Sequence, residues 1–228
     1  MERTAIITGA SQGLGLALAR RLAADGWALA IDARRSDQLT AAADELRDVT
    51  RVVAIAGDIA DPDHRLQLST AARLLGAVRL VVNNASTLGA SPLPALDTID
   101  PDVLRRTFDV NVVAPIALVQ LLTDSLEPGA TIVNITSDAA AEAYPTWGGY
   151  GASKAALEHA SRVLAVEHPE WRVLTVDPGD MRTEMHQAAF PGEDIGDRPE
   201  PAASLPGLVA LIDGDQPSGR YVAKQVAT

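Results

Sequence analysis

Short apolar segments that alternate with helical patterns along all 228 residues constrain the fold more than any other feature of the sequence. Segments such as Ala5-Ile6-Ile7 and Leu80-Val81-Val82 are apolar on both faces, which is typical of parallel strands covered by helices on both sides. The predicted strands are Thr4–Thr8, Trp27–Asp32, Arg51–Ala56, Val78–Asn83, Ala130–Thr136, Trp171–Asp177 and Arg220–Val222. The predicted helices run over about 14–25, 37–47, 62–75, 101–126, 150–167 and 202–213. This alternation predicts a single α/β domain with a doubly wound parallel sheet of about seven strands.

The composition argues against several classes of function. With a formal net charge of −11 and no run of Lys and Arg, the chain is not expected to bind nucleic acid. It has no cysteine, and its four histidines lack a ligand spacing, so we expect no metal and ordinary surface roles for them: His64, His159, His168 and His186. No apolar stretch approaches the ~18 to 20 residues of a membrane span, and a strand pattern begins at Thr4 without a signal peptide. A cytoplasmic protein is therefore expected.

A glycine-rich turn, Thr8–Gly15, joins the first strand to the first helix. Glycines in such a turn let the backbone approach a pyrophosphate, which rests on the helix N-terminus. The strict G-x-G-x-x-G pattern is not matched, but the strand–turn–helix context predicts a Rossmann-like dinucleotide site. Its expected cofactor contacts are Gly9, Ser11, Gln12, Gly13, Leu14 and Gly15.

The same turn also fits a different class of enzyme. Gly9-Ala10-Ser11-Gln12-Gly13 matches G-x-S-x-G, the nucleophile elbow of α/β-hydrolases. That elbow needs an earlier strand to supply its oxyanion loop, and only eight residues precede Gly9. The sequence therefore favours cofactor binding over hydrolysis.

Four further landmarks follow the glycine turn in order. They are Asn83-Asn84-Ala85-Ser86 after the fourth strand, Asn111 in a helix, the set Ser137, Tyr150 and Lys154, and Pro178–Thr183 after the sixth strand. Together with the turn they resemble the short-chain dehydrogenase/reductase family over essentially the whole chain. The resemblance implies an oxidoreductase that moves hydride and a proton between a nicotinamide and a small carbonyl or alcohol.

The resemblance implies a role for each catalytic residue. Tyr150 would be the acid/base, which requires its phenol, normally near a pKa of ~10, to shift towards neutrality. Lys154 lies four residues later on the same helix face, where its ammonium would stabilise the phenolate and also hold the nicotinamide ribose. Ser137 would orient the substrate oxygen, and Asn111 would hold a water that passes protons towards Lys154.

Further cofactor contacts are implied by the same resemblance. Besides Tyr150 and Lys154, they are Arg34, Asp58, Ile59, Asn84, Ala85, Pro178, Gly179, Met181 and Thr183. Ser86 replaces the family's usual glycine, and we expect it to crowd the backbone but to have no catalytic role. The family also implies a homodimer or homotetramer formed through the 101–126 and 150–167 helices.

The segment Thr183–Pro201 is rich in Pro, Gly and acidic residues, which is too polar for a core element. Beside these motifs it is interpreted as a mobile flap over the substrate site rather than as a plain loop. We expect the specificity surface to come from this flap and from Thr87–Ala95 and Ala139–Trp147.

Two alternative functions share much of this pattern. A catalytically silent dinucleotide sensor would keep the fold, but such relatives usually lose the Tyr or the Lys, and Tyr150 and Lys154 are both present. An epimerase or dehydratase of nucleotide sugars would need a sizeable C-terminal substrate domain, whereas 49 residues follow Gly179.

The end of the second strand carries the choice between NAD(H) and NADP(H). Asp32 ends that strand, where an acid normally takes the adenosine ribose hydroxyls of NAD. However, the family's NAD-selecting acid stands eighteen residues after the last glycine of the turn, and that position is Ala33. Arg34 and Arg35 follow, and guanidinium groups suit a 2′-phosphate. Asp32 is expected to point to the other side and to cap the next turn, so NADP(H) is the expected cofactor.

Overall fold

The structure, a computed structural model, describes residues 3–226, in which seven strands form one parallel sheet. The strands are β1 (Arg3–Ile7), β2 (Ala28–Ala33), β3 (Val52–Ala56), β4 (Ala77–Asn83), β5 (Leu126–Ile135), β6 (Arg172–Asp177) and β7 (Gly219–Val222). Their order is β3-β2-β1-β4-β5-β6-β7, with every pair parallel. The predicted doubly wound, Rossmann-like α/β sheet is confirmed.

Helices cover both faces of the sheet. They are α1 (Gly13–Ala24), α2 (Ser36–Arg47), α3 (Pro62–Leu75), α4 (Pro101–Phe108), α5 (Ala114–Leu122), α6 (Gly148–Glu167), α7 (Glu184–Ala189) and α8 (Leu205–Asp213). One buried cluster joins Ile7 and alternate strand residues to α1, α2 and α8, and a second joins Ile6 and its counterparts to α3 and α5. Neighbouring strand residues therefore enter opposite cores, which explains the strands that are apolar on both faces.

The helix predicted over 101–126 is interrupted. Between α4 and α5, residues Asp109–Val113 form a π-helical turn that contains Asn111, and such turns often occur at functional sites. Among residues 3–226, the segment Pro101–Ser125 is the one helical stretch long and apolar enough to cross a membrane. Its helices pack against α3 and α6, and the core helices of α/β domains pass the same test of length and hydropathy.

Two other predicted boundaries differ from the structure. Strand β5 begins at Leu126, which pairs with Val78 across an irregularity in the ladder. The intervening Glu127-Pro128-Gly129 is polar and turn-like, and this hid the first part of the strand. The segment predicted as irregular, 183–201, contains α7, whose first turn is capped by Thr183 Oγ1 accepting from His186 N at 3.2 Å.

The contact between α6 and the turn at Asp138–Ala140 fixes the position of the predicted catalytic helix. A Cβ at Gly151 would lie 2.5 Å from the Ala139 carbonyl oxygen. Gly151→Ala should therefore lower the free energy of unfolding by about 1 to 3 kcal/mol, because backbone must move to relieve the clash. Urea unfolding would measure the change.

Gly148→Ala on the same helix is the matched control. Its Cβ would meet the side chain of Leu96 at 3.0 to 3.2 Å and no backbone atom, so the alanine should destabilise the chain less than Gly151→Ala does. Equal stability of the two variants would contradict the assigned close approach.

Candidate active site

The carboxyl ends of the central strands open into a cavity of about 820 Å³. It brings together nearly all of the sequence-predicted site residues: Gly9, Ser11, Gln12, Gly13, Leu14, Arg34, Asp58, Ile59, Asn84, Ala85, Ser137, Tyr150, Lys154, Pro178, Gly179, Met181 and Thr183. Two predicted residues, Gly15 and Asn111, are not part of its wall. Both lie behind it and act through other residues.

The glycine turn is held against the end of β4 by hydrogen bonds. Thr8 Oγ1 accepts from the backbone N–H groups of Asn84 and Ala85, both at 3.0 Å. Asn84 Nδ2 donates to the Thr8 carbonyl at 2.8 Å and to the Gly9 carbonyl at 3.1 Å. These bonds expose the backbone of the turn to the cavity at the N-terminus of α1, where an anionic ligand is favoured.

Each glycine of the turn has a steric reason. Gly9 and Gly13 have φ of +67° and +57°, which favours glycine. A Cβ at Gly15 would lie 2.4 Å from the Gly9 carbonyl oxygen, so Gly15 serves close packing of the turn on α1. A Cβ at Gly9 would lie 2.9 Å from the Ala85 Cα. The turn is thus a backbone cradle that has no room for a Cβ at Gly9 or Gly15 and a backbone conformation at Gly13 that favours glycine.

Asp32 supports this turn from behind. Its Oδ1 accepts from Gly9 N–H at 2.8 Å, and its Oδ2 lies 2.9 Å from His64 Nε2. Burial raises the pKa of the Asp32 carboxyl, while the bonds to His64 and Gly9 lower it. Asp32 therefore does not cap the turn after β2, as the sequence suggested, because both oxygens are engaged by the glycine turn and by His64.

The surface role expected for His64 is wrong, because this residue is buried. Its ring occupies space that the missing side chain of Gly57 leaves open, since a Cβ there would lie 2.2 Å from His64 Nδ1. No other described histidine is buried in this way. Within residues 3–226, no group of three or more His, Asp or Glu residues could hold a metal ion.

Tyr150 and Lys154 lie on α6 and are both buried. Lys154 Nζ donates to the Ile135 carbonyl at 2.9 Å and lies 5.6 Å from the centroid of the Tyr150 ring. Burial lowers the pKa of Lys154 to about 8. The ammonium is therefore directed to the end of β5 rather than to the phenol.

Burial raises the pKa of Tyr150 well above its ordinary value, while hydrogen bonding to Ser86 and Ser137 lowers it. The shift towards neutrality expected from the sequence is not seen here, because desolvation outweighs the stabilisation of the phenolate. The Asp177 and Asp138 carboxylates raise this pKa further. At neutral pH the phenol is protonated, and a protonated phenol can donate a proton.

Ser86, which was expected to have no catalytic role, lies in the wall of the cavity. Its hydroxyl donates to Asn111 Oδ1 at 3.1 Å and also hydrogen-bonds with Tyr150. It replaces a residue that has no side chain in the family, so the sequence offered no direct signal of these two contacts.

Asn111 is fully buried, and its amide is fully engaged. Oδ1 also accepts from Thr87 N–H at 2.9 Å, and Nδ2 donates to the Thr87 carbonyl and to Ser153 Oγ, both at 2.9 Å. Ser153 Oγ in turn donates to the Tyr150 carbonyl at 2.6 Å. The side chain thus joins the loop after β4 to α6, and its amide groups are not available to hold a water.

Ser137 stands two residues beyond β5 at the cavity wall. Its hydroxyl donates to Asp138 Oδ1 at 2.8 Å and accepts from Ala139 N–H at 3.2 Å. Asp138 Oδ2 accepts from Tyr144 Oη at 3.1 Å. The hydroxyl has a single proton, and rotation away from Asp138 would direct that proton to a substrate oxygen in the cavity.

The end of the cavity nearest the glycine turn, here called the basic end, presents three arginines. Arg34, Arg35 and Arg106 line it, together with the carboxylates of Asp32, Asp58 and Glu184. Asp58 accepts from Arg106 and from Ala60 N–H, and together with the charge of Arg34 these bonds hold the pKa of Asp58 below its usual value. This end suits an anionic ligand.

The other end is apolar and lies under α7. Leu88, Trp147, Met185 and Ala189 line it, and the Trp147 ring centroid lies 5.9 Å from that of Phe190. Five residues of the predicted flap line the cavity as a whole: Thr183, Glu184, Met185, His186 and Ala189. An elongated molecule with a charged end and a less polar reacting end fits this cavity.

Comparison with known proteins places this architecture among dehydrogenases. A family model described as short chain dehydrogenase matches residues 3–194. Sepiapterin reductase of Meriones unguiculatus is 36% identical over 199 residues, 81% of this chain and 76% of that protein. A short chain dehydrogenase from Salmonella enterica serovar Typhi has a TM-score of 0.88 at 26% identity, covering 98% of this chain and 96% of that one. An alcohol dehydrogenase from the archaeon Thermococcus sibiricus, complexed with 5-hydroxy-NADP, has a TM-score of 0.87 at 28% identity, covering 97% and 96%.

The buried ammonium of Lys154 makes a prediction about stability. Its pKa of about 8 in the folded chain lies below the ordinary 10.5, so the folded state holds this proton less tightly than the unfolded state does. At pH 7 the desolvation costs on the order of 3 kcal/mol, and the hydrogen bond to Ile135 returns about 1 kcal/mol to the wild type. Lys154→Met should therefore be about 1 to 3 kcal/mol more stable at pH 7.

The sign of the pH dependence follows from the same shift. The wild type gains stability as the pH rises from about 8 towards 10.5, because in this window the unfolded state still holds a proton that the folded state has released, and rising pH disfavours the protonated state. The advantage of Lys154→Met should shrink over this window in urea unfolding. Lys224→Met, at the chain's other and exposed lysine, is the control and should show no such trend. A Lys154→Met variant less stable than the wild type at pH 7 would contradict the account.

Proposed function

The chain belongs to the short-chain dehydrogenase/reductase family, and we propose that it is an NADP(H)-dependent enzyme that interconverts a carbonyl and an alcohol with Tyr150 as acid/base. The observation that carries the proposal is the convergence of Tyr150, Lys154 and Ser137 on the cavity that also contains the glycine turn. Membership of the family makes the chain an oxidoreductase. What we propose beyond this is that Tyr150 is the proton donor.

The residues of the cavity suit a nicotinamide dinucleotide. The side-chain-free cradle at Gly9 and Gly13 would hold the pyrophosphate at the N-terminus of α1, and the basic end would hold the adenosine portion. Lys154 and Tyr150 would hold the nicotinamide ribose. The bound cofactor supplies or accepts the hydride.

The chain's own residues then move the proton. Tyr150 would donate its phenolic proton to the oxygen of the carbonyl as that oxygen becomes an alkoxide. Lys154 would limit the cost of the phenolate left behind, since its ammonium is charged below a pKa of about 8 and lies on the same helix. Ser137 would turn its hydroxyl proton from Asp138 to the same oxygen and fix its position, and Ser86 would support Tyr150.

Three features support NADP(H) over NAD(H). Asp32 lines the cavity but is almost fully buried, and its two oxygens already hydrogen-bond Gly9 and His64, so little of the carboxylate is presented to ribose hydroxyls. Ala33 offers only a methyl group at the family's acid position, and the next residue, Arg34, presents a positive charge at the cavity wall that already acts on Asp58. The Thermococcus sibiricus relative, whose structure resembles this one, is complexed with 5-hydroxy-NADP.

The remaining proposals concern the oligomeric state, the cellular compartment and the segment 183–201. Four apolar side chains of this region are exposed: Val113 and Ile116 near the start of α5, and Val163 and Val166 on α6. Their exposure supports a homodimer or homotetramer formed through these helices. We also propose that the chain works in the cytoplasm on a small-molecule substrate and that 183–201 is a flap over it. A silent cofactor sensor is the alternative function, and the presence of both Tyr150 and Lys154 favours the enzyme.

Tyr150→Phe tests the proton donor. Removing the hydroxyl should lower kcat by about 10²- to 10⁴-fold while the dissociation constant for NADPH changes by less than about twofold, because little volume is lost. Carbonyl reduction followed by nicotinamide absorbance and a direct cofactor titration provide the two readouts. Tyr221→Phe, which removes a hydroxyl bonded to the Pro217 carbonyl, is the control. Retention of more than a few per cent of wild-type turnover by the Tyr150→Phe variant would show that the donor is misassigned.

Ala33→Asp combined with Arg34→Leu tests the choice of cofactor. The new carboxylate repels a 2′-phosphate and the lost guanidinium no longer attracts it, so preference should move towards NADH by at least about tenfold in kcat/KM. Arg47→Leu removes an equal charge at the far end of α2 and should leave the preference unchanged. If the wild type itself prefers NADH, then Asp32 rather than Ala33 and Arg34 sets the choice.

A further inference from the structure

Three polar side chains from distant parts of the chain meet at the basic end of the cavity. Arg35 Nη2 lies 2.8 Å from Glu184 Oε2, and it also donates to Gln12 Oε1. Gln12 Nε2 donates to the same Glu184 oxygen at 3.2 Å. All three residues line the cavity, so the glycine turn, the loop after β2 and the first residue of α7 are joined there.

The two neighbouring arginines after β2 therefore differ. Arg34 has no hydrogen bond or ion pair in the described part of the chain, whereas Arg35 is already paired with a carboxylate. Hydrogen bonds from Arg35 and Gln12 hold the pKa of Glu184 below its usual value, so Glu184 is charged at neutral pH. The positive charge of Arg35 is thus largely offset where the cavity would otherwise be most basic.

This ion pair is also easily exchanged. The side chains of Arg35 and Glu184 are 46% and 62% exposed, and pairs this accessible to water are weak. A more highly charged anion can therefore take over the guanidinium, but it must first separate the pair and approach the carboxylate. An anion of lower charge gains less binding free energy when it displaces the Glu184 carboxylate from Arg35.

We propose that Glu184 is a specificity-determining residue whose carboxylate opposes a 2′-phosphate and holds Arg35 away from it. The proposal rests on the proposed binding of a nicotinamide dinucleotide. NADP(H) and NAD(H) differ by that one phosphate, which brings about 1.5 to 2 negative charges at pH 7. Arg34 and Arg35 favour NADP(H) over NAD(H), and Glu184 reduces the ratio of the two affinities.

The position of Glu184 gives this restraint a second consequence. Glu184 begins α7, and Met185 and Ala189 of the same helix line the apolar end of the cavity. Displacement of its carboxylate by a phosphate releases one of the contacts between α7 and the loop after β2. The choice of cofactor is thereby linked to the segment that covers the substrate end.

Glu184→Gln tests the proposal through binding alone. Dissociation constants for NADPH and NADH would be measured by direct titration without substrate, in the wild type, in Glu184→Gln and in Glu193→Gln. Glu193 is an exposed residue of the same segment that does not line this cavity, so its variant matches the change in charge. The ratio of the NADH to the NADPH dissociation constant should rise about three- to tenfold in Glu184→Gln, and by less than about twofold in Glu193→Gln.

A double variant shows whether the effect runs through Arg35. In an Arg35→Gln background, Glu184→Gln should still raise the ratio but by a clearly smaller factor than in the wild-type background, because the repulsion between carboxylate and phosphate remains while no guanidinium is left to be released. Equal tightening of both cofactors, or a falling ratio, would overturn the inference, since the carboxylate would then act on shared groups or position Arg35 for the phosphate. Binding of neither dinucleotide by the wild type would overturn the proposed function itself, and that outcome is distinct from the other two.

Discussion

Hydrogen bonds between Thr8 and Asn84 hold together the ends of β1 and β4, the two neighbouring strands from which the chain connections diverge. The strand order runs from β1 to β2 and β3 on one side and from β4 to β7 on the other, so the connections diverge between β1 and β4. A parallel sheet opens a crevice at such a point, outside the carboxyl ends of its strands. With the Thr8 hydroxyl and the Asn84 amide fixing the two strand ends, the glycine turn, Ser137 and α6 acquire defined positions around one cavity.

Desolvation is the physical cost on which this site depends. Asp32, Lys154 and Tyr150 are all buried. Burial shifts each pKa in the direction that favours the neutral form of the side chain. The surrounding polar groups offset this cost: Gly9 N–H and His64 for Asp32, the Ile135 carbonyl for Lys154, and two serine hydroxyls for Tyr150. The result is a protonated phenol close to an ammonium of lowered pKa. That pair suits a phenol that donates its proton and exists as a phenolate during only part of a reaction.

The sequence predicted what depends on local pattern and failed where distant residues meet. Apolar runs located the seven strands along the chain, and the motifs singled out Tyr150 and Lys154, which α6 brings to one face at the cavity wall. The pair of Asp32 and His64, 32 residues apart, had no such signal. The contact of Arg35 with Glu184 spans 149 residues and depends on where α7 folds back over the cavity. The π-helical turn and the irregular start of β5 were hidden because local propensity cannot show how a ladder is interrupted.

Hydride transfer from the cofactor to a carbonyl carbon is the central claim, and isotope transfer tests it directly. The wild-type chain would be mixed with NADPH deuterated at the reactive C4 position and with a panel of aldehydes, ketones and diketones, and the products analysed by mass spectrometry. The account predicts an alcohol with one deuterium on the former carbonyl carbon, formed in step with the oxidation of NADPH. Oxidation of NADPH without deuterium in any product, or tight binding of NADPH with no turnover across the whole panel, would contradict it.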